Sequence, residues 1–166
     1  MLEASLARLR ARVPGAPIQK IMLSRVLVEL GRGMSALLEQ QIRPAGLAEA
    51  EFRVLSMLFS QPDGVAHPSD LCARTAQSPA NMSRISDALV RRELITRVLS
   101  AKDRRRMVLR ITAQGEALVR RLLPLLFEPL EEMFAEFSAA ELDQLTAKLM
   151  RLLAKLDVSA VHQGAS

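Results

Sequence analysis

The segment Ser78 to Thr112, SPANMSRISDALVRRELITRVLSAKDRRRMVLRIT, constrains the fold more than any other part of the chain. Ser78 followed by Pro79 is helix-opening chemistry: a serine hydroxyl accepts from an orphan N–H of the first turn, and proline needs no donor there. The helix so opened, Pro79 to Arg92, has Met82, Ile85 and Leu89 on one face and begins its outer face with Ala80, Asn81, Ser83 and Arg84. Leu94 to Leu99 and Met107 to Ile111 then alternate as two antiparallel strands do, with Ser100 to Arg106 as the loop between them. A helix, a strand, a basic loop and a second strand follow one another.

The charge is concentrated in the same place. From Ser78 to Arg121 there are eleven Lys or Arg against four acids, a net +7 in a chain whose total is +5, so the remainder carries −2. A basic segment on an otherwise slightly acidic chain is the electrostatic footprint of a polyanion site, and the expected polyanion is double-stranded DNA.

Around this segment the chain reads as helices. Leu2, Leu6 and Leu9 share one helical face before Val13-Pro14-Gly15, so residues 1–16 form an arm. Pro17 suits the first turn of a long helix in which Leu23, Leu27, Leu30, Met34 and Leu37 repeat at heptad spacing, and Arg43-Pro44-Ala45-Gly46 ends it. The next helix, Ala48 to Ser60, places Phe52, Leu55 and Leu58 or Phe59 inward and closes at the turn Gln61-Pro62-Asp63-Gly64. Val65-Ala66 is a minimal strand, and a short helix from Pro68 has Leu71 and Cys72 inward.

Thr112 caps a further long helix containing Leu118, Leu122 and Leu126, in which Pro124 and Pro129 predict a kink or break. Ser138-Ala139-Ala140-Glu141 is a capping box, with Phe137 and Leu142 placed as a hydrophobic staple. The last helix carries a second heptad seam, Leu142, Leu145, Leu149, Leu152 and Leu156, and residues 158–166 form a flexible tail.

The expected fold is mostly α with a small β-hairpin wing: a winged helix-turn-helix domain over residues 47–112, between a dimerisation helix (17–46) and C-terminal dimerisation helices (113–157). Both seams exceed what the middle domain can cover, which predicts a homodimer. A hydrophobic share of 49% with only 3% aromatics fits this helical reading.

Other classes are excluded by what is missing. One cysteine and two well-separated histidines, His67 and His162, provide neither a disulfide framework nor metal-ligand spacing. No catalytic constellation appears: no paired carboxylates, Ser-His-Asp set, Cys-His pair or phosphate-cradling glycine loop. No enzyme, cofactor or metal is expected. The amino-terminal residues do not form a secretory leader and no apolar run approaches a membrane span, so the expected protein is soluble, cytoplasmic and without a membrane partner. Cys72 reads as a packing residue and His67 as a cap or turn residue.

The candidate DNA-reading residues begin with Ser78, which caps the helix. Asn81 suits adenine or a phosphate, Arg84 guanine or the backbone; Ala80 permits close approach, and Ser83 adds a phosphate contact. In the loop, Asp103 stands two residues before Arg105, where it can hold the guanidinium in a fixed fork suited to a narrow minor groove, with Arg104 beside it.

These residues carry a resemblance. Residues 47–112 resemble the winged-helix core of the MarR (multiple antibiotic resistance regulator) repressors: Phe52, Val54-Leu55, Leu58, Leu71-Cys72, Arg84, Leu94-Ile95, and above all Asp103-Arg104-Arg105 leading to Leu109-Arg110-Ile111-Thr112. With the flanking helices the resemblance extends from Pro17 to Asp157, and within the family it is strongest to repressors of multidrug efflux.

The resemblance implies a homodimer on a pseudo-palindromic operator, released by small aromatic or phenolic anions. It places Ala80, Asn81, Ser83 and Arg84 at the major groove and Asp103 and Arg105 in the wing's minor-groove contact, with Arg104 beside them. Because the family's effector site lies between dimerisation helices and winged domain, it makes Arg25, Met34, Phe52, Leu55 and Met57 the candidate effector residues, the arginine suited to an organic carboxylate. Two departures stand out. Glu93 occupies a helix end where the family has Gly, so the left-handed turn there is strained or remade. Ala48 replaces the usual capping residue, which costs about 1 kcal/mol. The competing function is a helical dimeric interaction or ligand-sequestering protein without specific DNA binding.

Overall fold

The computed structural model describes residues 8–99 and 106–156, and it divides between Gln40 and Gln41 into two compact units. In the first, residues 8–12 are helical and the long helix α1 spans Ile18–Ile42, its last two residues belonging to the second unit. Pro17 immediately precedes α1, one residue before the first turn in which it was expected, and its carbonyl accepts from Ile21 N at 3.0 Å. The seam residues Leu23, Leu30 and Met34 are 49%, 50% and 43% exposed.

The second unit begins where α1 ends in a 3₁₀ turn, Arg43–Ala45, stopped by Gly46 at φ +65°. There follow α2 (Glu49–Phe59), β1 (Val65–Ala66), α3 (Pro68–Thr75), α4 (Pro79–Arg91), β2 (Ile95–Leu99), β3 (Met107–Ile111) and α5 (Ala113–Leu122). A 3₁₀ turn (Leu123–Leu126), α6 (Phe127–Phe134) and α7 (Ala139–Leu153) complete it. The strands form an antiparallel sheet in the order β1-β3-β2, with Val65 opposite Arg110, Ile95 opposite Ile111 and Leu99 opposite Met107.

The core gathers where α2 is covered on several sides by α3, α4, α5 and β3. Phe52, Leu55 and Leu58 are buried as their spacing predicts, and so is Val54, which helical periodicity had left off the inward face. A helix enclosed from several directions has no solvent stripe to mark, and periodicity then under-counts its core. Leu71, Met82, Ile85 and Leu89 complete the helix-turn-helix packing, and Ile95, Val108 and Leu109 seat the hairpin on it.

Helix ends set the connections. Arg92 caps α4, and Glu93 adopts φ +57° while its N–H donates to Val90 O (2.9 Å) and Leu94 N donates to Leu89 O (3.0 Å). This pair of bonds is a Schellman ending with glutamate in the glycine position. The left-handed turn is thus kept, and its steric cost with it. Thr112 Oγ1 donates toward Glu93 O (2.7 Å) and accepts from Gly115 N (3.0 Å), fastening the start of α5 to the end of α4. The approach is so close that a Cβ on Gly115 would lie 2.2 Å from Leu94 O.

Ala48 offers no capping oxygen, but its own N–H donates to the Glu51 carboxylate at 3.0 Å, so half of a capping box survives. The expected break after α5 is the 3₁₀ turn holding Pro124, while Pro129 is tolerated in the first turn of α6, where its missing N–H has no helical partner. Ser138 and Glu141 form the full capping box at the start of α7.

Candidate nucleic-acid interface

Each candidate on α4 owes its position to the helix start. Ser78 takes an extended conformation and its Oγ accepts from Asn81 N at 3.2 Å, with Pro79 in the first turn. The buried face, Met82, Ile85, Ser86 and Leu89, fixes the rotation of the helix, and Ala80, Ser83 and Arg84 are consequently exposed. Ser86 is polar yet buried because its hydroxyl donates to Met82 O at 2.7 Å. Asn81 is half-buried, its side-chain amide donating to Gln77 Oε1.

The helix is tied to the hairpin by an ion pair between Arg97 on β2 and Asp87 on α4, at 2.5 Å. Arg92 instead serves the scaffold, donating to Gly46 O and Ala45 O, both at 2.7 Å. Arg120 pairs with Glu116 at 2.9 Å and stands over the Phe59 ring, 5.4 Å from its centroid. The +7 counted along the sequence is therefore divided between exposed cations such as Arg84, Arg91 and Arg106 and others engaged within the fold.

The wing-tip candidates Asp103, Arg104 and Arg105, with Lys102, lie outside the described residues; the strands that lead into and out of them are paired as predicted. A cleft of about 320 Å³ opens beside this hairpin, bordered by Asp63, His67, Asp70, Arg74, Leu99 and Arg110. His67 occupies the cap position of α3 without a side-chain capping bond. Cys72 is half-buried rather than fully inward, and burial raises its thiol pKa despite an opposing backbone hydrogen bond, which disfavours the reactive thiolate.

The effector candidates fall on two elements. Arg25, half-buried, and Met34, exposed, are on α1 in the first unit, whereas Phe52, Leu55 and Met57 are on α2 in the second. Phe52 and Leu55 are buried in the core, 4% and 0% exposed, and Met57 is half-buried. Among the described residues no His, Cys, Asp or Glu group is arranged to hold a metal, and no helix is long and apolar enough to cross a membrane.

Sequence reasoning passed over Gln77, Arg92, Arg97 and Gly115. Gln77 had a local signal, standing one residue before the cap and four before Asn81, whereas the close approach at Gly115 involves Leu94 and had none. The carbonyls that Arg92 holds lie 46 and 47 residues away and Asp87 lies ten residues before Arg97 on a different element, and no local pattern announces either pairing.

A short helix, a turn, a second helix with an exposed polar beginning and an antiparallel hairpin together define a winged helix-turn-helix protein. The MarR family model matches residues 45–106. The transcriptional repressor MprA of Escherichia coli K12 is 31% identical over 141 residues, covering 85% of this chain and 80% of the relative. This chain belongs to the MarR family of transcriptional regulators.

Solved structures agree on the fold. AbsC, a MarR family transcriptional regulator from Streptomyces coelicolor, superposes with a TM-score of 0.73 at 23% identity, covering 81% of this chain and 91% of AbsC. BpsR of Bordetella bronchiseptica, whose structure concerns regulation of DNA binding by 6-hydroxynicotinic acid, superposes with a TM-score of 0.66 at 25% identity over 81% of this chain and 94% of its own.

Proposed function

We propose that this protein is a ligand-responsive transcriptional repressor that binds a pseudo-palindromic operator in duplex DNA as a homodimer and is released by a small aromatic or phenolic compound. The observation that carries the reading is the beginning of α4, where Ala80, Ser83 and Arg84 are exposed beside Asn81 and one ion pair joins the helix to the hairpin. Recognition helices meet base edges with this N-terminal part. Asp103, Arg104 and Arg105 are assigned to the minor groove on their sequence pattern alone.

Repression is supported by the 31% identity to MprA, and ligand response by the likeness to BpsR. Residues 17–46 and 113–157 are assigned to dimerisation. Arg25 is assigned as the cation for an organic anion. The effector acts by binding better to the dimer state that does not fit the operator.

The test is a fluorescence-anisotropy titration of the purified protein against its own upstream DNA and a scrambled duplex at two salt concentrations. The expected result is selective, salt-dependent binding of one dimer per site. Arg84→Ala relaxes sequence preference, whereas Arg104→Ala weakens all sequences alike and lowers the salt slope by about 1. Equal and weak binding to both duplexes rejects the reading.

A further inference from the structure

The entry to α4 contains a chain of polar groups whose direction can be followed atom by atom. The main-chain oxygen of Thr75, at the end of α3, accepts from Gln77 Nε2 at 3.3 Å. A carbonyl has no proton to give, so Gln77 must face it with nitrogen, leaving Oε1 for the other side. That oxygen accepts from Asn81 Nδ2. Asn81 is thereby turned so that Oδ1 and the second Nδ2 hydrogen are the groups left for an outside partner.

The orientation of an Asn or Gln amide is settled by its neighbours, and here the neighbour at the root of the chain is a main-chain atom that admits one answer. The anchors are themselves held. Thr75 Oγ1 donates to Leu71 O at 2.6 Å in a buried position, and the Asn81 backbone N–H is fixed on Ser78 Oγ.

We propose that Gln77 is a positioning residue for base readout, and that the base selected through Asn81 is adenine. An acceptor beside a donor complements adenine's major-groove edge, where N6 donates and N7 accepts. Guanine offers two acceptors there, thymine an acceptor and a methyl, and cytosine a donor alone, so none of them satisfies both atoms of Asn81. A phosphate, which only accepts, would leave Oδ1 without a partner. The inference rests on the DNA-binding reading above and adds to it a base and the residue that orients its reader.

The full-length protein and its variants are each used to enrich a randomised duplex library, and are then titrated against the enriched duplex and its single base-pair variants. The wild-type protein is expected to enrich an A·T pair at one symmetric position of each half-site, with about tenfold weaker binding when that pair is replaced. Gln77→Ala flattens the preference at that position and leaves the others unchanged. Asn81→Asp, which has no N–H for Gln77 Oε1 and presents acceptors only, loses the adenine preference at that position. An unchanged adenine preference in Gln77→Ala, or an equal loss of affinity for every sequence, overturns the inference while leaving the DNA-binding reading intact. Failure of the wild-type protein to enrich any duplex overturns both.

Discussion

Glu93 and Gly115 show opposite ways in which one side chain bears on the junction between α4 and α5. Glu93 has φ +57° at the position of a Schellman ending that suits glycine, and the bonds around it hold it there. Glu93→Gly is expected to raise stability by about 1 kcal/mol, read as a higher urea midpoint with unchanged slope. Gly115 stands where a methyl group would lie 2.2 Å from Leu94 O, a main-chain atom that cannot move without displacing the strand behind it. Gly115→Ala is expected to cost about 1–3 kcal/mol, the ordinary range for overpacking, and to lower the thermal midpoint. The strain at position 93 was legible from the sequence because a missing glycine at a helix end is a local signal. The crowding at position 115 depends on a carbonyl twenty-one residues earlier, and only the packed chain brings the two together.

Caps and breaks govern the elements. The helix starts at Ser78, Thr112 and Ser138 were each readable from residue type and spacing, since a capping bond links residues two or three apart. The cap on α7 also titrates. The Ser138 hydroxyl, and next its backbone N–H, hold the Glu141 carboxyl below the usual glutamate value. A carboxyl whose pKa is depressed by folding stabilises above its unfolded pKa, and that contribution is lost as pH falls through the depressed value. The difference in urea midpoint between the wild-type protein and Glu141→Gln is therefore expected to be larger at neutral pH than at about pH 3. An equal difference at both would place the capping bond elsewhere. The break in the helix after Leu122 was expected from two prolines, yet only Pro124 coincides with the 3₁₀ turn. Pro129 falls where a new helix starts, and proline costs little there.

Among the described residues, large apolar side chains are open on α1 and on α7, in two separate units. Leu145 and Leu152 are 37% and 42% exposed, and Leu156 just beyond α7 is 61% exposed. Heptad leucines left in water are consistent with the proposed homodimer. Changing Leu145 and Leu152 to Glu is expected to yield monomers in sedimentation equilibrium with the helical circular dichroism largely retained; dimers of unchanged affinity would reject the assignment of that seam. Local patterns were enough to name the winged helix-turn-helix class, because the caps, the 3.6-residue faces of α2 and α4 and the alternation of β2 and β3 are short-range facts of covalent spacing. They were enough also to place Ala80, Ser83 and Arg84 on the outer face of one helix. What they could not assign was the duty of each charge and amide. Arg92 went to the carbonyls of Ala45 and Gly46, Arg97 to Asp87, and Gln77 to the task of turning Asn81. The bonds of Arg92 reach 46 and 47 residues back and that of Arg97 crosses from β2 to α4, so both are settled only when helices and strands have packed; the Gln77 bonds span two and four residues and turn on the side-chain geometry at the entry to α4.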